Sequence, residues 1–153
     1  MLIEDLSKFE VFQDLDDLEL RKLLQFGRFK RFETNAVLFS EGNLGAGVLI
    51  VLTGKLELFR KHQDAELVLD ELMPGEFLGE DTLFGEVRQW RFSVRAVEDT
   101  KILWINTLEY RRFLSSGAAV LTKLLLRLVI LLSGTFREKN QEYGSMAMMK
   151  SEH

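Results

Sequence analysis

The spacing of the apolar residues constrains the fold of this chain more than any other feature of its sequence. Between Phe29 and Ile105 they follow the period of two that is typical of strands, in short segments separated by polar or glycine-containing turns. Helical spacing precedes this region, from Glu10 to about Gln25, and follows it from Thr107 onward. About eight short strands enclosed by helices predict a mainly β fold, an eight-stranded jelly-roll (double-stranded β-helix) barrel flanked by N-terminal and C-terminal α-helices.

The 153 residues are typical of one domain. We expect residues 1–139 to form it, with a C-terminal helix over about 117–139, and residues 140–153 to form a flexible tail. The segment from Trp90 to Val97 is rich in aromatic and β-branched residues, which predicts one of the later strands.

The residue inventory argues against most kinds of catalytic or metal centre. The chain has no cysteine and two histidines, His62 and the terminal His153. Thiolate zinc sites, cysteine nucleophiles and Ser-His-Asp arrangements therefore have no basis in this sequence. We expect no metal site, no catalytic residue and no enzymatic activity. A metal enzyme on a similar jelly roll, of the cupin type, stays an alternative that would need clustered histidines and carboxylates.

Charge and hydropathy bear on partners and location. The formal net charge is -4 and the sequence contains no block of basic residues, so we expect no nucleic-acid partner. The first ten residues lack a basic region followed by an apolar core, and the most apolar stretch, residues 118–132, contains Lys123 and Arg127. We therefore expect a cytoplasmic domain without a membrane segment.

Four ordered motifs point to a family. They are Glu41-Gly42, the run from Val48 to Gly54, the segment from Pro74 to Glu80, and Ser93 to Asp99. In this order and spacing they resemble the cyclic nucleotide-binding domain family, which includes catabolite activator proteins and protein kinase A regulatory subunits. The resemblance covers roughly residues 9–115 and implies a regulatory domain that binds cAMP or cGMP as a ligand and needs no other cofactor.

The resemblance also implies a nucleotide-binding site at Gly79, Glu80, Asp81, Thr82 and Leu83, where a Gly-Glu pair opens a short helix. Glycine lets the backbone approach a phosphate, and the first amides of the helix donate to it. The glutamate would accept hydrogen bonds from the ribose 2′-hydroxyl. Asp81 adds a carboxylate to the first turn of this helix, where it competes with a phosphate for the positive end of the dipole.

The phosphate-binding arginine of the family lies roughly eleven residues after the glycine and forms a bidentate contact. Counted without a gap from Gly79 to Ala96, that position holds Trp90, and Arg91 follows it. Arg88, two residues earlier, is a second cation near the expected pocket mouth. We include all three in the predicted site, with Trp90 as a residue that either stacks on a base or belongs to the core.

Two functional hypotheses follow. In the first, the domain senses a cyclic nucleotide and signals by moving its C-terminal helix against the barrel. In the second, it is a degenerate member that binds no nucleotide and serves as an interaction or dimerisation scaffold. The helix bears a broad apolar face, formed by Leu121, Leu124, Leu125, Leu128, Leu131 and Leu132. The resemblance implies that this region either covers the nucleotide pocket or forms a homodimer through residues of about 117–139. The alternative is an ordinary helix docked on its own barrel.

Overall fold

The structure is a computed structural model, and it describes residues 3–79, 88–107, 109, 111–112, 119–120 and 122–133. For Arg88 it describes the backbone. The predicted tail at residues 140–153 lies outside the described residues, as do the outer ends of the helix predicted over about 117–139.

The chain begins with helices and continues with strands. Helix α1 (Ile3–Leu6), a 3-10 helix (Glu10–Phe12) and helix α2 (Asp17–Phe26) precede ten strands formed by the described residues. These are β1 (Gly27–Phe32), β2 (Val37–Phe39), β3 (Leu44–Gly45), β4 (Gly47–Thr53), β5 (Leu56–His62), β6 (Ala65–Leu72), β7 (Phe77–Leu78), β8 (Arg88–Gln89), β9 (Ser93–Ala96) and β10 (Thr100–Asn106). Residues 119–120 and 122–133 are helical and are called the C-terminal helix below.

Eight of the strands form two antiparallel sheets of four. Sheet A has the order β1-β10-β4-β7 and sheet B the order β2-β9-β5-β6, while β3 and β8 pair separately as a short ribbon. The predicted eight-stranded jelly-roll fold with flanking helices is thus confirmed. Among the described residues the two sheets share no hydrogen-bonded strand pair, so the chamber between them is the interior of a sandwich.

Sheet A is the middle of three layers, and strand β4 explains why. The side chains of Val48, Ile50 and Leu52 pack against the helices, while those of Leu49 and Val51 pack towards sheet B. A strand that is covered on both faces needs apolar residues at every position, which accounts for the uninterrupted apolar run noted in the sequence.

The N-terminal helical region is divided, whereas the sequence suggested one stretch from Glu10 to about Gln25. The 3-10 helix ends at Phe12, and α2 starts after Asp16, whose side chain accepts a hydrogen bond from Glu19 N at 2.8 Å. The Glu19 carboxylate accepts in return from Asp16 N at 3.2 Å. This capping box makes Asp16 a strong helix start, so the helical period is interrupted just before it.

The strand predicted from Trp90 to Val97 starts three residues later, at Ser93, so that boundary was wrong. The reason is that Trp90 bonds elsewhere. Its backbone N–H donates to Asn43 O at 2.9 Å and its carbonyl accepts from Gly42 N at 2.8 Å, which continues the ribbon of β3 and β8.

No helix of the described residues is long and apolar enough to cross a membrane.

Candidate functional site

Gly79 directly follows strand β7 and lies against strand β4. Leu78 and Phe77 pair with Leu49 and Ile50 of β4, and Gly79 follows with a φ of 91°. A Cβ atom at this position would overlap the backbone carbonyl of Gly47. Both the left-handed backbone and the close approach of β4 therefore require glycine here. The sequence analysis expected this glycine for the approach of a phosphate, and that role stays a prediction.

Only part of the predicted site after Gly79 belongs to the described residues. Glu80, Asp81, Thr82 and Leu83 lie outside them, so their roles stay predictions. The backbone becomes described again at Arg88, which pairs with Gly45 in the ribbon of β3 and β8. Trp90 is the first residue after β8, so its position is fixed by this ribbon.

Trp90, the residue that the ungapped count from Gly79 puts at the predicted arginine position, is buried. Its side chain is 9% exposed, and its ring stacks on Phe39 with centroids 4.5 Å apart and an interplanar angle of 25°. Phe92 lies 6.1 Å from the Trp90 ring, and Trp104 lies 5.4 Å from Phe39. We call these four residues the aromatic cluster. Offset stacking of this kind contributes about 0.5 to 1.5 kcal/mol beyond the burial of the rings.

The polar atom of Trp90 faces the backbone of strand β3. A Cβ atom at Gly45 would overlap Trp90 Nε1, so the indole edge lies directly against this glycine. Among the described residues Nε1 has no hydrogen-bond acceptor, although it is buried. Leaving a buried donor unpaired costs about 1 to 3 kcal/mol, so the packing of the ring must outweigh this cost for the position to be occupied.

Arg91 lies on the opposite side of the chain, where its side chain is exposed. Its carbonyl accepts a hydrogen bond from Arg60 Nε at 2.6 Å, and Arg60 lies 4.0 Å from the Glu41 carboxylate. The structure thus brings Gly79 and Trp90 to the interior but places Arg91 at the outer surface. Neither Trp90 nor Arg91 presents a cation to the space between the sheets.

A cavity of about 740 Å³ opens where β6 and β7 end the two sheets. We call it the helix cavity, because Leu131 and Leu132 of the C-terminal helix form part of its wall. Leu58, Leu72 and Leu78 line its inner end. A volume in this range accommodates a small organic molecule. A ligand there would touch both the sheets and the helix.

Two ion pairs hold the C-terminal helix against the N-terminal region, in addition to the apolar contacts of Val120, Leu124 and Leu128. Lys123 Nζ lies 2.9 Å from Glu19 Oε1. Arg127 donates to both carboxylate oxygens of Asp14, at 2.9 and 3.0 Å. The hydrogen bond from Arg127 is the main cause of a lowered pKa at Asp14. Likewise, the hydrogen bond to Glu19 raises the pKa of Lys123.

The outer side of the C-terminal helix carries exposed apolar residues. Leu126 is 59% exposed, Val129 51% and Ile130 57%. Ala119, Thr122, Leu126, Val129 and Ser133 are all exposed and follow one another at alternating intervals of three and four. This is the spacing of a coiled-coil seam, and we call these five residues the outer stripe.

Sequence reasoning did not find the outer stripe. Of the apolar face that it proposed, the structure buries Leu124 and Leu128 in the domain's own core, and Leu121 lies outside the described residues. The sequence feature that could have revealed it is a second apolar row, Leu126 with Val129. This row is hard to distinguish in the sequence because many leucines surround it.

Comparison with known proteins identifies the family. The model of the cyclic nucleotide-binding domain family matches residues 29–116, which is more than half of the chain. The chain belongs to this family. It is a family of regulatory and sensor domains, and its members' jelly-roll fold is the one described above.

Three relatives illustrate the likeness. The cyclic AMP receptor protein of Thermus thermophilus is 33% identical over 101 residues, which are 65% of this chain and 46% of that relative. The crystal structure of the Thermus thermophilus catabolite activator protein matches with a TM-score of 0.72 and 29% identity, over 90% of this chain and 63% of that one. The N-terminal domain of a transcriptional regulator from Streptomyces coelicolor A3(2) matches with a TM-score of 0.71 and 26% identity, over 88% and 94%. The chain thus spans less than half the length of the curated relative.

Proposed function

We propose that this domain is a regulatory module of the cyclic nucleotide-binding family that no longer responds to cAMP or cGMP and that acts through its C-terminal helix. One observation carries the proposal: Trp90, which an ungapped count from Gly79 to Ala96 puts at the predicted position of the phosphate-binding arginine, is buried and stacked on Phe39. The indole is uncharged, so it cannot make the charge-assisted contact with a phosphate that an arginine would make. This corresponds to the degenerate member of the family that the sequence left open.

The energetic argument concerns the loss of the arginine. A charge-assisted hydrogen bond contributes about 1.5 to 3 kcal/mol, so the loss of a bidentate contact weakens binding by roughly two to four powers of ten. Arg91 does not compensate, because its side chain is exposed on the outer surface. A dissociation constant of about 1 μM would thereby rise to roughly 0.1 to 10 mM.

The output proposed for the module is assembly of two copies through the outer stripe. Leu126 and Val129 are large apolar residues that the domain's own sheets leave exposed, and they follow coiled-coil spacing. The occupant we propose is the same stripe of a second copy, because a two-fold arrangement brings identical apolar residues together. The two relatives from Thermus thermophilus extend well beyond the matched region. Our expectation that this domain contacts neither nucleic acid nor a membrane therefore stays a prediction.

Isothermal titration calorimetry with cAMP, cGMP and cyclic dinucleotides tests the loss of nucleotide binding. We expect no heat and no rise in melting temperature at micromolar ligand, where a sensor of micromolar affinity would be occupied and stabilised. The variant Trp90→Arg should gain affinity for a cyclic nucleotide. Trp90→Leu is the matched control, because it vacates the same space without a cation.

A second candidate is the cyclic nucleotide sensor itself, and Gly79 favours it. This glycine has a left-handed backbone, with a φ of 91°, and no side chain that would keep a phosphate away from the backbone. Saturable micromolar binding of cAMP or cGMP to the wild-type protein, with Trp90 in place, would establish this candidate and refute the first.

A further inference from the structure

We infer that strand β1, at the edge of sheet A, is a docking site for an extended acidic segment of a partner protein, which adds to the sheet as a further strand. This edge is a different surface from Trp90 and from the outer stripe, so its role does not depend on the proposed function. The backbone of β1, the charges along it and the groups that hold those charges support the assignment.

Strand β1 has one paired side and one open side. It lies at the end of sheet A, and β10 is the strand that pairs with it among the described residues. In an antiparallel pair, every second residue turns its N–H and C=O groups away from the neighbouring strand. These groups form a template to which another chain can add by main-chain hydrogen bonds. The four residues from Arg28 to Arg31 are exposed, so the middle of the edge is accessible.

The middle of this edge is basic. Arg28, Lys30 and Arg31 are three cations within four residues, in a chain whose net charge is -4. Lys101 of β10 lies directly opposite Arg31 and adds another cation. Like charges at directly opposite positions destabilise a sheet, so this pair of cations has a cost within the domain. An anionic partner would relieve that cost.

Two of these cations are held by aromatic rings. Lys30 Nζ lies 5.7 Å from the centroid of the Trp104 ring, and Lys101 Nζ lies 4.8 Å from that of Phe29. Among the described residues, Lys30, Arg31 and Lys101 form no ion pair. A ring face attracts a cation without neutralising its charge. The two ammonium groups are therefore positioned and still available to the carboxylates of a partner.

The acidic groups near β1 lie towards its two ends. At one end, Glu109 lies 3.5 Å from Arg28. At the other end, Asp99 accepts hydrogen bonds from the backbone and the hydroxyl of Thr34. Three acidic side chains line the hollow beside Arg31 at that end: Asp5, Glu33 and Asp99. The cations in the middle of the strand therefore present the charge that a partner would meet.

The register indicates which kind of segment fits. Lys30 lies opposite Ile102, which packs between the sheets, whereas Phe29 lies opposite Leu103, which packs against the helices. Because side chains alternate along a strand, Arg31 shares the face of Phe29 and Lys30 has the other face. A segment with two consecutive acidic residues would place one carboxylate on each face. A second copy of β1 fits less well, because its cations would repel these.

Fluorescence anisotropy with labelled, capped peptides of about eight residues tests the docking. One peptide has a central Glu-Glu pair among alternating Thr and Val residues, and the other has Lys-Lys at the same place. We expect saturable binding of the Glu-Glu peptide to the wild-type protein. It should bind at least about tenfold more tightly than the Lys-Lys peptide, as expected when two surface ion pairs replace two repulsions.

Backbone N-methylation tests whether the peptide binds as a strand. In an added strand, every second residue directs its N–H group towards the sheet edge. Two versions of the Glu-Glu peptide are therefore compared, methylated at alternate nitrogens of one set or of the other. We expect one version to lose binding and the other to lose far less.

Two double variants locate the site. Lys30→Gln with Arg31→Gln keeps the backbone edge and removes two cations, and we expect most of the preference for the Glu-Glu peptide to be lost. Arg21→Gln with Lys61→Gln makes the same change in net charge at exposed positions of α2 and β5, so the preference should persist. Thermal unfolding of each variant confirms that it is folded.

Each other result contradicts the docking site. Absence of saturable binding, or equal affinity for the two peptides, refutes the acidic partner. Equal loss in both methylated versions shows adsorption without strand pairing, and equal loss of preference in both double variants shows binding governed by net charge. Stronger displacement of the Glu-Glu peptide by an oligothymidylate of equal charge would assign the edge to nucleic acid instead. Cyclic nucleotide titration and self-association, which test the proposed function, can succeed or fail whatever these peptides do.

Discussion

At the scale of single residues, the aromatic cluster and the glycines beside it depend on one another. The edge of the Trp90 ring can lie against strand β3 because position 45 has no side chain, and the edge of Trp104 approaches position 47 in the same way. The sequence analysis noted Trp90 as a departure from the family pattern, but it could not assign Gly45 to the indole. The two positions are brought together only by the ribbon of β3 and β8.

This dependence predicts the effect of Gly45→Ala. The added methyl group would overlap Trp90 Nε1, so the ring or the ribbon must shift, and we expect a loss of about 1 to 3 kcal/mol in the free energy of unfolding. Urea denaturation followed by circular dichroism measures it. In the Trp90→Leu background the same substitution should cost clearly less, and an equal cost in both backgrounds would show that the indole does not cause the strain.

At the scale of elements, the sequence predicted those parts of the fold whose pattern is local. The alternation of β5 and the uninterrupted apolar run of β4 identify strands because each reports burial along a single segment. The ends of elements were less accessible. The strand expected from Trp90 starts at Ser93, because the hydrogen bonds of Trp90 go to Gly42 and Asn43, some fifty positions away in the chain.

The candidate site could be predicted from the sequence to a similar extent. The resemblance identified Gly79 and the position of Trp90, since both follow from spacing along one chain segment. The cavity wall could not be found in this way, because it joins the N-terminal turn, the ends of two sheets and the C-terminal helix. Three-dimensional proximity of such distant segments leaves no short-range periodicity in a single sequence.

The docking of the C-terminal helix predicts a dependence on pH. The pKa of Asp14 is lowered from its ordinary value of 3.8 by the hydrogen bond from Arg127. Its contribution to stability is therefore fully present above that value and is lost as the pH falls through the lower folded-state pKa. Urea denaturation of wild type and Asp14→Asn should differ at neutral pH, and the difference should vanish in strong acid. A difference that persists there would exclude the Asp14 carboxylate as its source.

At the scale of the whole molecule, the C-terminal helix packs on the core next to sheet A with only one of its sides. Leu124 and Leu128 enter the core next to sheet A, while Leu126 and Val129 face away from it. The same helix can therefore serve the domain and a second copy at once. This division assigns folding and assembly to different rows of residues on one element.

The division predicts that assembly can be removed without unfolding the domain. Leu126→Glu with Val129→Glu should weaken self-association at least about a hundredfold, because each buried apolar side chain contributes roughly 1.5 to 3 kcal/mol. Analytical ultracentrifugation measures the dissociation constant. Leu18→Glu, at an exposed leucine of α2, is the control and should leave the association unchanged. A wild-type protein that stays monomeric at high concentration would contradict the proposed assembly.

Glu19 joins two functions in one carboxylate, since it completes the capping box of α2 and also accepts the ammonium of Lys123. If the C-terminal helix departs, the bond to Lys123 breaks, while the reciprocal bonds with Asp16 do not involve that helix. The start of α2 then stays wound, and its acidic side chain keeps the orientation that receives the lysine on return. Detachment of the C-terminal helix would in this way be a reversible rigid-body step that requires no refolding of α2.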